Sequence, residues 1–310
     1  MPLKWGQVSG KRQLVTPAHP FELRSHFKAL EAPAAEAKVW VAYVPEEISP
    51  SDWLSVYLEG QKEKVLHERH LPSEGGALPD VLTRGGEAGH ERITRWMVLK
   101  DHAKIGGAHF FMLQVSTAAA DYTDDMANVF FVAVSNFDVL HPSGWAYAEQ
   151  LRTLVRTVPA NVATVFPLSW QQQENPLSEE HFYQVKLTKS LGGHQIGLIN
   201  LMVLADQQEA DLRRLEEETR AAYQESKLEF APAKFAVAPA FGPFQQVYTA
   251  LTPQTNAAGA PAQERQVLLG RSGPYWVYLE NVRYARKGAP EQWAVSKRAF
   301  DIVQEHLQIK

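Results

Sequence analysis

The sequence predicts an α+β protein of two tandem α/β/α sandwich domains, each an antiparallel sheet flanked by helices. Three observations predict this fold class. The length of 310 residues is close to the point at which one hydrophobic core usually divides into two. Short runs of β-branched and aromatic residues follow one another with turns between them, which is typical of antiparallel strands. The order strand, helix, several strands, helix occurs twice along the chain, which indicates a tandem repeat.

The first half opens with a strand and a helix. Residues Lys38–Val44 are mostly β-branched or aromatic, which is typical of a strand, and Pro45 ends this strand. Residues 49–52 supply a capping hydroxyl, a proline and an early acid, which is the pattern of a helix start. Apolar residues then recur at helical spacing from Trp53 to Leu66, so we expect the helix to run to about Arg69.

Strands and a closing helix complete the first half. The expected strands are Leu78–Thr83, Arg92–Lys100, His109–Val115 and Asn128–Val134. Pro142 opens the expected closing helix, which runs from about Trp145 to Val158 with an apolar stripe on one face. We therefore expect the first domain to occupy residues 1–160 and the second, related domain to occupy residues 161–310.

The second half repeats this order after an expected linker or edge segment at Phe166–Glu180. Two strands, Phe182–Leu187 and Gln195–Val203, are joined by a tight turn at residues 190–193. Asp206 is the expected cap of a charged helix that runs to about Ser226. The remaining expected elements are strands at Lys234–Ala238, Phe244–Leu251, Arg265–Gly270 and Tyr275–Tyr284, and a last helix after Pro290.

The two halves can be aligned on their closing helices. Trp145-Ala146 and Trp293-Ala294 lie 148 residues apart, and at that offset residues 129–134 fall opposite residues 277–282. This spacing favours an internal duplication. Two unrelated α+β domains that match at a few apolar positions are the alternative.

Composition excludes several classes of function. The chain has 31 basic and 35 acidic residues, a net charge of −4, so a nucleic-acid partner is not expected, because a phosphate-binding face normally brings a basic excess. The absence of cysteine excludes disulfide scaffolds, thiolate zinc sites and cysteine nucleophiles. No signal peptide and no apolar run long enough to span a membrane are visible, so we expect a cytoplasmic protein that is not inserted in a membrane.

Motifs for metal binding and catalysis are incomplete. His67 and His70 are three residues apart, where a helical zinc motif needs four, and the acidic cluster at Asp121–Asp125 lacks the glycine and glutamate of a calcium loop. The glycine turns have no phosphate-loop or dinucleotide context, and no Gly-x-Ser-x-Gly motif is present. We therefore predict no catalytic, cofactor or metal residues. An enzyme that uses scattered carboxylates such as Glu46, Glu47 and Asp101 stays an alternative.

Several strands are apolar on both alternating faces. Two helices for each sheet, one on either side, would explain this pattern. In a second interpretation part of one sheet face stays open as an apolar groove that binds a hydrophobic helix or peptide of another protein. The candidate lining residues are Phe110, Met112, Phe130, Val132, Trp276 and Tyr278.

Two sets of segments, one in each half, carry a resemblance to a known family. They are residues 95–99, 110–113 and 132–137 in the first half, and residues 265–270, 275–284 and 299–303 in the second. In these segments the chain resembles the PsbP-like α/β/α sandwich proteins, which include the bacterial DcrB-type proteins. Members without a signal peptide resemble the Eag-type chaperones of bacterial type VI secretion. That resemblance implies a non-enzymatic adaptor that shields the transmembrane helices of a secreted effector, with no catalytic residues to carry over.

These observations predict a binding or chaperone module for a hydrophobic segment of a protein partner, with no cofactor. A tandem chain would act as a monomeric pseudo-dimer or as a homodimer. One alternative is an immunity-type or regulatory protein that blocks its partner through a polar surface. Another is a hydrolase with a site between the two domains.

Overall fold

The computed structural model describes residues 5–8, 20–176, 178, 180–205, 209–256 and 262–310. The chain forms two compact units, Met1–Glu149 and Gln150–Lys310. Each unit contains one seven-stranded antiparallel sheet and two α-helices, so the α+β fold class predicted from the sequence is confirmed. Among the described residues, no helix combines the length and the apolar character needed to cross a membrane.

The first unit is built on a sheet with the strand order β1-β2-β3-β7-β6-β5-β4. Its strands are β1 (Trp5–Gln7), β2 (Phe21–Ala29), β3 (Ala35–Val44), β4 (Lys64–Leu71), β5 (Leu78–Gly85), β6 (Arg92–His102) and β7 (Ala108–Ala118). Its helices are α1 (Pro50–Gly60), between β3 and β4, and α2 (Asp124–Ser135), which follows β7 after a short 3-10 turn.

The two helices of the first unit cover opposite faces of this sheet. Successive side chains of a strand point to opposite faces. On one face Phe110 of β7 meets the ring of Trp53 in α1, with the ring centroids 4.9 Å apart. On the other face Leu113 and Val115 of β7 lie in one buried cluster with Phe130 of α2. Each face therefore has its own apolar core.

The second unit contains two sheets. The small one has the order β17-β9-β8, and the large one has the order β10-β11-β12-β16-β15-β14-β13. The strands are β8 (Leu151–Arg156), β9 (Val162–Pro167), β10 (Gln171–Glu174), β11 (Phe182–Leu191), β12 (His194–Ala205), β13 (Ala236–Ala238), β14 (Gln246–Pro253), β15 (Gln263–Ser272), β16 (Tyr275–Tyr284) and β17 (Gln308–Ile309). Helix α3 (Glu209–Glu225) joins β12 to β13, and α4 (Pro290–Glu305) follows β16.

The tight turn between β11 and β12 is confirmed. Leu191 pairs with His194, which leaves Gly192 and Gly193 as the loop. Their φ angles are 60° and 82°, in the left-handed region that favours glycine. A two-residue hairpin with both φ angles positive matches the right-handed twist of its strands.

The expected strand at Asn128–Val134 is wrong, because these residues lie in α2. The Thr123 hydroxyl accepts a hydrogen bond from the Met126 amide, and Asp124 and Asp125 occupy the first turn. The buried residues Met126, Phe130 and Val134 are spaced four apart. That spacing puts them on one face of a helix.

The expected helix to Arg69 is also wrong, because α1 ends at Gly60 and β4 follows. Lys62 has a φ of 57°, and the Glu63 amide donates to the Leu58 carbonyl. This is the hydrogen-bond pattern of a Schellman helix end. The chain therefore leaves the helix before residues 64–71 and adds a strand to the sheet.

The expected closing helix at Trp145–Val158 is wrong, because these residues, all of which the structure describes, form no helix. Residues 145–150 are irregular, and Leu151–Arg156 form β8, which pairs with β9. Only Leu154 of the expected apolar stripe reaches the core, because alternate residues of the strand face away from it. The segment Phe166–Glu180, which was expected to be a linker or an edge, contains β10, an edge strand of the large sheet. The expected helix cap, Asp206, lies outside the described residues.

The two large sheets share one strand order, with a helix between the third and fourth strands and another helix after the seventh. The alignment of the two halves at 148 residues is wrong, because Trp145 lies in an irregular segment and Trp293 lies in α4. The equivalent helices α2 and α4 begin at Asp124 and Pro290, which are 166 residues apart.

Candidate functional site

Five of the six residues expected to line an open groove lie in the cores of the two units. Phe110 and Met112 are buried beneath α1, and Phe130 belongs to the buried face of α2. Trp276 and Tyr278 are buried in a cluster that includes Leu212 of α3. Their own helices cover them, so they form no open surface in this structure.

Val132 is the exception among the six. Its side chain is 54% exposed on the outer side of α2, and the neighbouring Phe131 is 44% exposed. A helix of a globular protein normally turns polar residues outward. An exposed apolar residue is a candidate for a binding surface where it forms part of the wall of a cavity.

An apolar cavity of about 600 Å³ lies beside α2, and we call it the α2 groove. Leu113 of β7 forms its sheet side. Residues of α2 and of the segment that follows it form the rest, namely Asn128, Val129, Val132, Ala133, Asn136 and Phe137. The side chain of Asn136 donates to the carbonyl of Val132 at 2.8 Å, which closes the last turn of the helix. The groove therefore combines an apolar lining with a polar rim.

A second, charged cavity of about 370 Å³ lies against Phe131, and we call it the arginine pocket. Its lining comes from the three strands at one edge of the sheet and from α2. The lining residues are His67 and Arg69 of β4, Asp80 and Leu82 of β5, Arg95 of β6 and Phe131. These side chains share one face, because Arg69 pairs with Asp80 and Leu82 pairs with Arg95 across the strands.

Asp80 holds the two arginines of the pocket in place. Its carboxylate is only 2% exposed and accepts two hydrogen bonds from Arg95, both at 2.7 Å. It also accepts hydrogen bonds from Nε and Nη2 of Arg69. The guanidinium carbons of Arg69 and Arg95 lie 5.6 Å and 5.2 Å from the centroid of the Phe131 ring, within range of a cation–π interaction.

The pKa of Asp80 is lowered by these contacts. Burial alone raises the pKa of this carboxyl, but the hydrogen bonds and charges of Arg95 and Arg69 outweigh burial. Asp80 is therefore ionised at neutral pH. One carboxylate faces two guanidinium groups, so these three residues together carry a net positive charge.

The second unit contains a buried polar network under α3. Arg265 of β15 donates to Glu280 of β16, to Glu216 of α3 at 2.6 Å and to the hydroxyl of Tyr278 at 2.5 Å. Burial, followed by the charge of Glu280, raises the pKa of both Tyr278 and Tyr223, so both tyrosines stay neutral. Arg265 and Glu280 are fully buried, which makes this network part of the core.

The other polar residues singled out in the sequence have structural contacts. Glu47 forms a buried ion pair with Lys100 at 2.6 Å, and Asp101 accepts hydrogen bonds from Ser143. His70 is hydrogen-bonded to Ser51 of α1, whereas His67 faces the arginine pocket on the opposite face of β4. Within the described ranges, no group of three or more His, Asp or Glu side chains could hold a metal ion.

The arginine pocket is not predicted from the sequence. The apolar spacing places Arg69 at the end of a helix, whereas in the structure it lies in β4 and pairs with Asp80 of β5. The sequence around Arg95 does indicate an unusual position. Arg95 lies on the same face of β6 as the apolar residues Ile93 and Met97. A charged residue at such a position needs a buried partner.

No family model matches the chain, and no curated protein matches it. The chain is similar to the solution structure of the cyanobacterial PsbP protein CyanoP from Synechocystis sp. PCC 6803. The identity is 12% and the TM-score 0.37, over 55% of this chain and 99% of that one. It is also similar to the apo structure of TplEi, a type VI secretion immunity protein of Pseudomonas aeruginosa, at 10% identity and a TM-score of 0.26 over 92% of this chain and 94% of that one. A third similar structure is the Tle4–Tli4 complex, at 8% identity and a TM-score of 0.27 over 92% and 94%.

Proposed function

We propose that this chain is a non-enzymatic binding protein that takes an apolar segment of a partner protein into the α2 groove. The observation that carries the proposal is the apolar cavity of about 600 Å³ beside the exposed Val132. A volume of this size accommodates several apolar side chains of a peptide or helix.

The driving force would be the transfer of apolar surface out of water on both sides of the interface. Each Å² of apolar surface removed from water contributes about 25 cal/mol before the costs of association are subtracted. Val129, Val132 and Phe137 supply this surface on the protein side. Asn128 and Asn136 at the rim would orient the bound segment through polar contacts.

More specifically, the chain would be a cytoplasmic chaperone that shields a hydrophobic segment of a secreted effector, such as a transmembrane helix. The expected form of the chain is a monomer or a homodimer. The apolar lining of the groove supports the shielding of an exposed segment. The second candidate is an immunity-type protein that blocks a folded partner through a polar surface, and the arginine pocket is the observation that favours it.

A peptide-binding experiment tests the groove. The probe is a helical peptide of leucine and alanine, kept soluble by terminal lysines, and its binding is measured by calorimetry. Val132→Asp puts a charge in the groove and is expected to weaken binding at least tenfold, which corresponds to about 1.4 kcal/mol. Val155→Asp, at a position of β8 that is 64% exposed, is the matched control and is expected to bind like the unchanged protein. Equal affinity of the two variants would contradict the proposal.

A further inference from the structure

The strand β4 is an open edge of the first sheet. It is the last strand in the order, and all eight of its residues are exposed. Only β5 pairs with it among the described strands, so one side of its backbone has no strand partner there. Such an edge can accept an added strand from another protein.

The arginine pocket opens beside this edge, and its two guanidinium groups retain hydrogen-bonding capacity. Both Arg69 and Arg95 direct Nε and Nη2 to Asp80. In the described part of the chain, the Nη1 atoms of these two arginines make no hydrogen bond. Phe131 stacks against both groups and limits their movement. Two fixed cations with spare donors, held by one carboxylate, form a site for a further anion.

We propose that the arginine pocket binds a carboxylate side chain of a partner segment that pairs with β4 as an added strand. The guanidinium donors that do not point at Asp80 can donate to a carboxylate, which is the commonest anionic group that another protein chain presents. A strand paired with β4 directs alternate side chains to the face that carries Arg69, so one acidic side chain of that strand can reach the pocket. This site names the partner chemistry for the second candidate function given above, a protein that binds its partner through a polar surface, and it rests on that candidate.

Charge on β4 favours an acidic segment. The strand carries Lys64, Arg69 and two histidines but only one acidic residue, Glu68. An acidic strand would place opposite charges across the new pair, which stabilises it, whereas a basic strand would place like charges there. A second copy of this chain, added through its own β4, would bring a like-charged strand to the edge, which disfavours a dimer through β4.

A pair of matched peptides tests the pocket. Both are extended peptides of about six residues, the usual length of a strand, with threonine and valine in alternation. One carries a central glutamate and the other a glutamine. We expect the glutamate peptide to bind the full chain at least tenfold more tightly than the glutamine peptide, by calorimetry. Arg69→Gln is expected to remove this difference and leave the Arg95–Asp80 pair intact. Arg24→Gln is the matched control, because Arg24 is 44% exposed and Arg69 is 42% exposed.

Three outcomes would overturn the inference. The first is equal binding of the two peptides to the unchanged protein. The second is binding of free glutarate as tight as that of the glutamate peptide, which would indicate a site for small carboxylates. The third is a dimer that forms without peptide and disappears in Arg69→Gln, seen by light scattering.

The two proposals can fail separately. Val132→Asp is expected to weaken binding of the leucine–alanine peptide and to leave binding of the glutamate peptide unchanged. If the two matched peptides bind with equal affinity while the leucine–alanine peptide still binds in the groove, only the proposal for the carboxylate site is contradicted. Loss of leucine–alanine peptide binding, with the difference between the two matched peptides retained, would contradict only the proposal for the α2 groove.

Discussion

Asp80 holds the two arginines of the arginine pocket in place. We expect its ionisation to have a measurable effect on the free energy of unfolding. Its folded pKa lies below its ordinary value of 3.8. A lowered pKa stabilises the fold at pH values above the unfolded pKa, and this contribution is lost as the pH falls through the folded pKa. The contribution of Asp80 is therefore present at neutral pH and disappears in acid.

We expect Asp80→Asn to lower the free energy of unfolding at pH 7 and to have a smaller effect below pH ~4, near the ordinary aspartate pKa. The loss at pH 7 should be about 1–3 kcal/mol, because two arginines lose a charged partner. Urea unfolding at several pH values measures it. Asp138→Asn, at an exposed position of the same unit, should change little. An effect of Asp80→Asn that is as large in acid as at pH 7 would contradict the assignment.

The buried aromatic residues show how far the sequence could predict the site. Tyr278 belongs to an apolar run, which suggested an open apolar face, but its hydroxyl contacts Arg265 in the core. Residue types alone cannot show this, because the network depends on α3, which brings Glu216 over the sheet. Val132 was identified from the same kind of run and is exposed. An apolar run therefore predicts burial or binding, and only packing separates the two.

At the scale of single elements, the sequence predicted most strands well and misassigned two segments next to the candidate site. Residues 128–134 are apolar at almost every position, so neither the two-residue period of a strand nor the 3.6-residue period of a helix can be recognised in them. Thr123, Asp124 and Asp125 do carry the pattern of a helix start, a capping hydroxyl followed by two acidic residues. Residues 64–71 continued the spacing of α1, and nothing in their composition showed that the helix ends at Gly60. These two segments form the sides of the arginine pocket.

The Thr123 cap is expected to stabilise α2 measurably. Thr123→Ala removes the acceptor of the Met126 amide and should cost about 0.5–2 kcal/mol of stability. Thr123→Ser keeps an acceptor and should restore most of this loss. Amide hydrogen exchange of residues 124–128 should be faster in the alanine variant. Unchanged exchange in that segment would mean that the cap contributes nothing to α2.

At the scale of the whole molecule, one strand order occurs in both units, but the helices between the third and fourth strands differ in length. Helix α1 has 11 residues and α3 has 17. The longer α3 places Glu216 and Tyr223 over the polar part of its sheet, where both contact the Arg265–Glu280 pair. The sequence predicted the length of α3 well, with an expected end at about Ser226, but it did not predict the difference between the two helices, because α1 was expected to continue to Arg69. The shared strand order favours two related domains, which we propose as the organisation of the chain.

Two compact units with separate cores should lose stability separately. Phe130 lies in the core between α2 and the first sheet, and Phe300 lies in the core between α4 and the second sheet. Each phenylalanine-to-alanine change should cost about 3–5 kcal/mol in its own unit. We therefore expect Phe130→Ala to accelerate amide exchange in residues 20–149 of the full chain and to leave residues 150–310 protected. Phe300→Ala should give the opposite pattern and serves as the control. Equal loss of protection in both units with either variant would show that they unfold as one, because local core loss would then spread through the whole chain.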